Sequence, residues 1–337
     1  MHTSSQPGSI VRSTAAVAFL VGCLYGGSQT PAATASSSAP ALLGASLQAS
    51  GPSLRLPGVT ADQVIVSDSV ANAVSVFDAE GRLQTRLRKG IDYPLGITTD
   101  RAENLYVANA GASDVLVYSQ PYKAVTVTLS LPSQSPTDVA VSAAGIVGVM
   151  SSTQPSGPGI VFFFAKGAAS ACAMVGDPNW HNMYFGAFDE SGNLFIDGFD
   201  RNGDPLVGEI SGGCAATSIL TLSVANTISG IAGIQVVNGN ILILAQNYNT
   251  FAPEIFTYAP PSGGSLGSPI ATTELSAGIE MESFAMTRGG RDLWIAHSDV
   301  AYGRIEYTYP GGRFVKSFDE PGLQSAFGIA VNPAASP

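Results

Sequence analysis

The chain has 337 residues, with 15 lysines and arginines against 25 aspartates and glutamates, a formal net charge of −10 and only 12% charged residues. Such an acidic, sparsely charged chain, with no basic stripe interleaved with aromatics, is not built to bind nucleic acid. The 38 glycines, and the absence after residue 50 of any sustained i, i+3, i+4, i+7 apolar stripe, exclude a helical fold and leave short strands joined by tight turns.

Residues 1–22 carry a weakly basic start ending in Arg12, then an apolar stretch from Thr14 to Val21. It is too short to cross a bilayer, which takes about 20 apolar residues, and it has the form of an export signal. Its end, Leu20-Val21-Gly22-Cys23, resembles the bacterial lipobox, which implies a lipid on the Cys23 thiol and cleavage before it. Ordinary cleavage near Ala33-Thr34-Ala35 and a retained signal anchor are the alternatives. Residues 23–53 are Ser, Ala, Thr, Gly and Pro-rich and read as a flexible tether. The expectation is an exported protein on a periplasmic or extracellular face, lipid-anchored to a membrane at Cys23, with one folded domain over 54–337.

Within that domain one pattern recurs: a glycine-led apolar strand, a turn, then a second apolar strand ending in a small polar residue. The clearest copy runs Pro94-Leu95-Gly96-Ile97-Thr98-Thr99-Asp100, then Asn104-Leu105-Tyr106-Val107-Ala108-Asn109, then Val115-Leu116-Val117-Tyr118. Second-strand anchors fall at Val64, Leu105, Ile146, Leu194, Ile241 and Leu293, spaced 41, 41, 48, 47 and 52 residues apart, which are blade-sized periods. Val64 lacks a preceding strand and Gly328-Ile329-Ala330-Val331 lacks a following one, so the two ends complete each other. The sequence predicts an all-β, six-bladed β-propeller of four-stranded antiparallel blades, closed by its C-terminal strand so that no inner edge stays open. The repeat resembles the NHL repeat. That resemblance implies a protein-binding scaffold or an enzyme, and the chain is expected to work as a monomer.

Arg82, Arg86, Arg88 and Lys89 cluster at an outer strand and its turn, where charge blunts a sheet edge. The run Phe162-Phe163-Phe164 fills space between blades. Asp200-x-Asn202-x-Asp204 resembles the start of a calcium loop, but Pro205 follows and the twelfth position is Ser211 rather than glutamate, so it reads as a hairpin turn at Asn202-Gly203. Cys172 and Cys214 lie 42 residues apart, close to one blade period. Either they bridge neighbouring blades or they are two buried free thiols. Neither sits in a CxxC pair, so zinc is not expected.

In a propeller the loop entering each inner strand and the loop leaving each second strand open on one face. That face is predicted to carry Tyr93, Asp138, Trp180, His181, Tyr184, Glu280, Glu282 and Phe327 from the first set. Asp68, Asn109, Asp197, Gln246, Asn247, Tyr248, His297 and Asp299 come from the second. The candidate ligand site is Tyr93, Asn109, Trp180, His181, Asp197, Gln246, Glu280, Glu282, His297 and Asp299. Imidazoles and carboxylates of this kind serve as metal ligands or as an acid–base pair. The blade pattern is similar to that of virginiamycin B lyases, which hold magnesium with histidine and glutamate, yet His297 is followed by Ser298-Asp299 and His181 stands between Trp180 and Asn182. The glutamate, asparagine and aspartate set of gluconolactonase-type propellers does not map onto these blades either.

The leading expectation is therefore a non-catalytic, membrane-tethered binding or scaffold propeller of the bacterial envelope, with an envelope protein or glycan as partner and no cofactor. The alternatives are a magnesium- or calcium-dependent lyase or lactone hydrolase using His181, His297, Glu280 and Glu282, and a carbohydrate or cell-wall binder stacking sugars on Tyr93, Trp180 and Tyr248.

Overall fold

The computed structural model describes residues 63–152, 158–224, 228–250, 252–276, 281–287, 289–297, 304–318 and 323–332. The signal segment, the tether, Cys23, Glu280 and Asp299 lie outside them. The described residues form six sheets, each with four antiparallel strands. Blade 1 runs from Ala326–Asn332 through Gln63–Asp68 and Ala73–Phe77 to Leu83–Leu87. The inner strands of blades 2 to 6 are Pro94–Thr99, Ser135–Val141, Asn182–Phe188, Ile228–Val237 and Met281–Met286. Each touches the next, and Met281–Met286 touches Ala326–Asn332, so the ring is closed. The closing pairs are Gln63 with Asn332 and Val64 with Val331, as the unmatched sequence ends required.

Because each sheet is sandwiched between two others, both faces of its inner strands are buried, and the strands read as apolar runs rather than as alternating ones. In blade 1, Ile65 packs with Ile97, Leu105 and Val107 of blade 2. Its neighbours Val64 and Val66 turn the other way, towards Ala285, Trp294 and Ala296 of blade 6. The triple phenylalanine of blade 3 divides in the same manner: Phe162 and Phe164 join Val115, Val117 and Leu129 of blade 2, whereas Phe163 joins Ile196 and Ile210 of blade 4.

Polar side chains link neighbouring inner strands where backbone groups face a seam. Thr137 Oγ1 donates to the Met183 carbonyl at 2.6 Å, Gln235 Nε2 donates to the Phe284 carbonyl at 3.1 Å, and Ser283 Oγ donates to the Phe327 carbonyl at 2.8 Å. Ser67 Oγ accepts the Gly328 amide at 2.7 Å and donates to the Leu95 carbonyl. A hydrogen bond to an otherwise stranded buried group is worth about 1 kcal/mol, so these links fix the channel geometry more than they drive folding.

Two features departed from the simple pattern. Blade 5 has a ten-residue inner strand with two register shifts, and Ser265–Gly267 adds a parallel strand to the outer edge of blade 4. Among the described residues no helix is long and apolar enough to cross a membrane.

Candidate functional site

The channel is built in layers, because residues at matching positions of the six inner strands share one level. Thr98, Ala140, Ala187, Gln235, Ala285 and Ala330 pair with Tyr106, Gly148, Phe195, Leu242, Trp294 and Ile65, one residue in from the same end of their ladders, or two in blades 1 and 5. Five small side chains and one amide leave room, and they line a cavity of about 350 Å³. It opens on the face of the turns that follow the inner strands, with Asp100, Arg101, Glu103 and Ser142 on its rim. Two residues earlier in each strand the level is Gly96, Asp138, Phe185, Gly233, Ser283 and Gly328, around a pocket of about 40 Å³.

Phe185 of blade 4 stacks on Phe327 of blade 1, with centroids 6.1 Å apart and planes 23° from parallel. Blades 1 and 4 are opposite in a ring of six, so the rings meet across the channel. Tyr184 backs the pair, edge-on to Phe199 at 5.7 Å. These rings occupy the lead-in side, and the large cavity lies at the other mouth from the face chosen by sequence.

Two carboxyl groups are buried near each other, Asp138 beside the channel and Asp197 on the second strand of blade 4. Asp138 is buried, and its Oδ2 accepts the Gly186 amide at 3.2 Å. Burial pushes its pKa up to about 8, against partial relief from the Val139 and Gly186 amides. Gly96 makes the room, since a β-carbon there would strike the Asp138 carboxyl. Asp197 is fully buried, and its Oδ1 accepts the Phe185 amide at 2.9 Å. Burial holds its pKa well above the usual carboxylate range, and the nearby Asp138 adds to the rise.

Most other residues singled out in the sequence do structural work. Asn109 is fully buried and braces its loop: Oδ1 accepts the Asp92 amide at 2.6 Å, and Nδ2 donates to the Gly90 carbonyl at 3.1 Å and to Asp114 Oδ1 at 2.8 Å. Trp180 is 0% exposed in the core between blades 3 and 4, with Nε1 donating to Thr221 Oγ1 at 3.1 Å, so it is no channel-face platform. Tyr93 is half-buried beside Asn72, whose Oδ1 takes its amide at 2.7 Å. His181 is half-buried on blade 4, Gln246 half-buried on blade 5, Glu282 half-buried on blade 6, and His297 buried on blade 6. No group of three or more His, Cys, Asp or Glu able to hold a metal occurs among the described residues. The Asp200 loop is a turn in which Oδ1 takes the Asn202 and Asp204 amides at 2.7 and 2.9 Å. Cys172 and Cys214 are joined by a disulfide with Cα atoms 5.2 Å apart, linking the outer edge of blade 3 to the turn before the last strand of blade 4.

Sequence reasoning missed the open mouth. Its signal was present: the aligned inner strands carry Ala140, Ala187, Ala285 and Ala330 in one column.

No protein-family model matches the chain, and no curated protein matches it. Among solved structures it is similar to a chain of a nidogen–laminin complex, at 12% identity and a TM-score of 0.60 over 80% of this chain and 98% of that one. It is also similar to a Bacteroides caccae protein of unknown function, at 10% identity and a TM-score of 0.58 over 81% and 99%. Hydrazine synthase from Kuenenia stuttgartiensis matches at 14% identity and a TM-score of 0.55 over 72% of each chain. These likenesses show the propeller fold and, at such identities, nothing finer.

Proposed function

We propose that this protein is a non-catalytic binding propeller of the bacterial envelope, NHL-like in its repeats and tethered to a membrane by a lipid on Cys23. The observation that carries the reading is the open mouth of about 350 Å³, where a level of small side chains and the Gln235 amide lies within a wall that also includes Asp100, Arg101 and Glu103. Such a lining offers shape and a few hydrogen bonds to a guest. The buried Asp138 carboxyl lies one level deeper and Asp197 in the second strand of blade 4, outside that lining. One fold neighbour was crystallised as a complex of nidogen with laminin, and the reading carries protein binding by a propeller over to this chain. The partner is an envelope protein or a glycan.

The test is made in a bacterial host. The wild-type chain is expected in the membrane fraction and Cys23→Ala in the soluble exported fraction. A photo-crosslinking residue in place of Thr98 should trap a defined partner in intact cells, whereas one in place of the exposed Met174 should not. Retention of Cys23→Ala in the membrane would refute the tether. Lactone turnover by the purified chain, together with no adduct at Thr98, would refute the binding role.

A further inference from the structure

A second cavity, of about 420 Å³, lies in the seam between blades 2 and 3, beside the open mouth. The two adjoin, since Asp100, Arg101, Ser142 and Ala143 belong to both walls. Thr98 lines the mouth and not the cleft, whereas Thr126, on the outer strand of blade 2, lines the cleft and not the mouth. A cleft of that volume has the size of a small-molecule site.

Its lining divides by chemistry. Val117, Val127, Leu129 and Val147 give it an apolar floor, where the packed core of the seam opens out. Two cations also line it, Arg101 from the turn after the blade 2 inner strand and Lys166 from the turn after the Phe162-Phe163-Phe164 strand of blade 3. Both are exposed, and neither makes an ion pair among the described residues. The Lys166 stem lies against the wall: a β-carbon at Gly145, another lining residue, would strike its Cδ at 2.9 Å and its Cγ at 3.0 Å. The one carboxylate of the lining, Asp100, is engaged by its own turn. Its Oδ1 accepts the Ala102 and Asn104 amides at 2.9 Å each, and its Oδ2 accepts Asn104 Nδ2 at 2.9 Å and the Tyr106 hydroxyl at 3.2 Å. Those four bonds fill its acceptor positions. Glu103 belongs to the wall of the mouth and not to that of the cleft. Two cations against one anion give the cleft a local charge of +1 in a chain whose net charge is −10.

We propose that this cleft is a binding site, separate from the open mouth, for a small free organic acid with an apolar body and one carboxylate held by Arg101 and Lys166. The guanidinium fork matches a carboxylate with two parallel hydrogen bonds, and the lysine adds a point charge. A local charge of +1 balances a monoanion, whereas a phosphate dianion would bring an excess negative charge beside Asp100. An inorganic anion would leave the valines and Leu129 in water, so the floor selects a guest with carbon to bury.

The experiment is a ligand-observed NMR titration of the purified full chain with hexanoate, hexanamide, acetate and N-acetyl-leucyl-leucine. The wild type should bind one hexanoate with a dissociation constant of about 1 mM or tighter. Hexanamide lacks the charge, and acetate lacks methylenes that are each worth up to about fourfold when buried. Both should bind at least about tenfold more weakly. Arg101→Gln and Lys166→Gln should each weaken hexanoate by about three- to tenfold, and added salt should weaken it in the wild type. Lys89→Gln, at an exposed lysine outside the cleft, should bind as the wild type does. Thr126→Trp, which fills the cleft, should abolish binding, and Thr98→Trp, which fills the mouth, should keep it. Thermal melts establish which variants are folded, and Thr126→Trp decides alone if Thr98→Trp is not. No hexanoate binding in the wild type, equal binding of hexanamide, undiminished binding in folded Thr126→Trp or in both cation variants, or loss in Lys89→Gln or in folded Thr98→Trp would each overturn the proposal. Tighter binding of the dipeptide than of hexanoate would overturn the free acid in favour of a peptide carboxyl terminus.

Discussion

Replacing both Cys172 and Cys214 by serine should cost the fold about 4 kcal/mol. The bridge closes a loop with a sequence separation of 42. A cross-link over that length removes about 13 cal/mol/K of entropy from the unfolded chain, which is about 4 kcal/mol at 25 °C. Cys172 is exposed and Cys214 half-buried, so the serine pair leaves little cavity and the chain-entropy contribution dominates. For a domain of this size the loss corresponds to a melting-point drop of about 8 °C. The assay is equilibrium urea unfolding of both proteins, with a thermal melt of each. The midpoint should fall and the slope with urea should rise somewhat, since the unfolded chain without its cross-link is less compact and exposes more surface. A double-serine variant that melts within about 1 °C of the wild type would refute the reasoning, and would mean that residual structure in the unfolded chain already holds the two segments together.

Asp138→Asn should remove a pH dependence. The Asp138 carboxyl ionises near pH 8 in the fold and near 3.8 when exposed, so its contribution to stability is complete below about pH 4, is lost as pH rises through the interval to 8, and then levels off; urea midpoints should show the variant gaining on the wild type across that interval, and parallel curves would refute the assignment. Asn109→Ala strands the Asp92 amide and the Gly90 carbonyl and should cost about 2–3 kcal/mol without changing what the open mouth binds. A crosslinking yield at Thr98 that fell in a fully folded Asn109→Ala chain would give this residue the ligand role that the sequence suggested.

The fold was legible because a propeller writes its period into the chain. Anchors at 41- to 52-residue spacing, and a first and last strand that each lacked a partner, are local facts with one closed solution. Even the phenylalanine run of blade 3 declared its purpose, since a strand with both faces buried has no polar side to show. The site was less legible. Which mouth of the channel is open depends on Phe185 meeting Phe327 across the ring, a contact between opposite blades that no local pattern announces. Trp180 looked like a ligand platform beside His181, and its burial depends on Thr221 arriving from the last strand of blade 4. Asp138 and Asp197 belong to different blades and different strands, and only the bulge at Phe185-Gly186 brings their hydrogen bonds to adjacent amides.

The closure of blade 1 sets an order of events in time. Gln63–Asp68 is the first strand of the ring to be made, and its inner neighbour Ala326–Asn332 is the last. Until Asn332 emerges, the first sheet has a long apolar edge with nothing to pair with, and Ser67 has no Gly328 amide to receive. Blades 2 to 6 draw their four main strands from successive stretches, blade 5 interrupted only by Ser265–Gly267, and can assemble as they appear, but the circle waits for Ala326–Asn332. Contacts of such long sequence separation form slowly, and an open edge is where another chain adds. Holding the growing chain unfolded until Asn332 has been made would spare this protein its most hazardous intermediate.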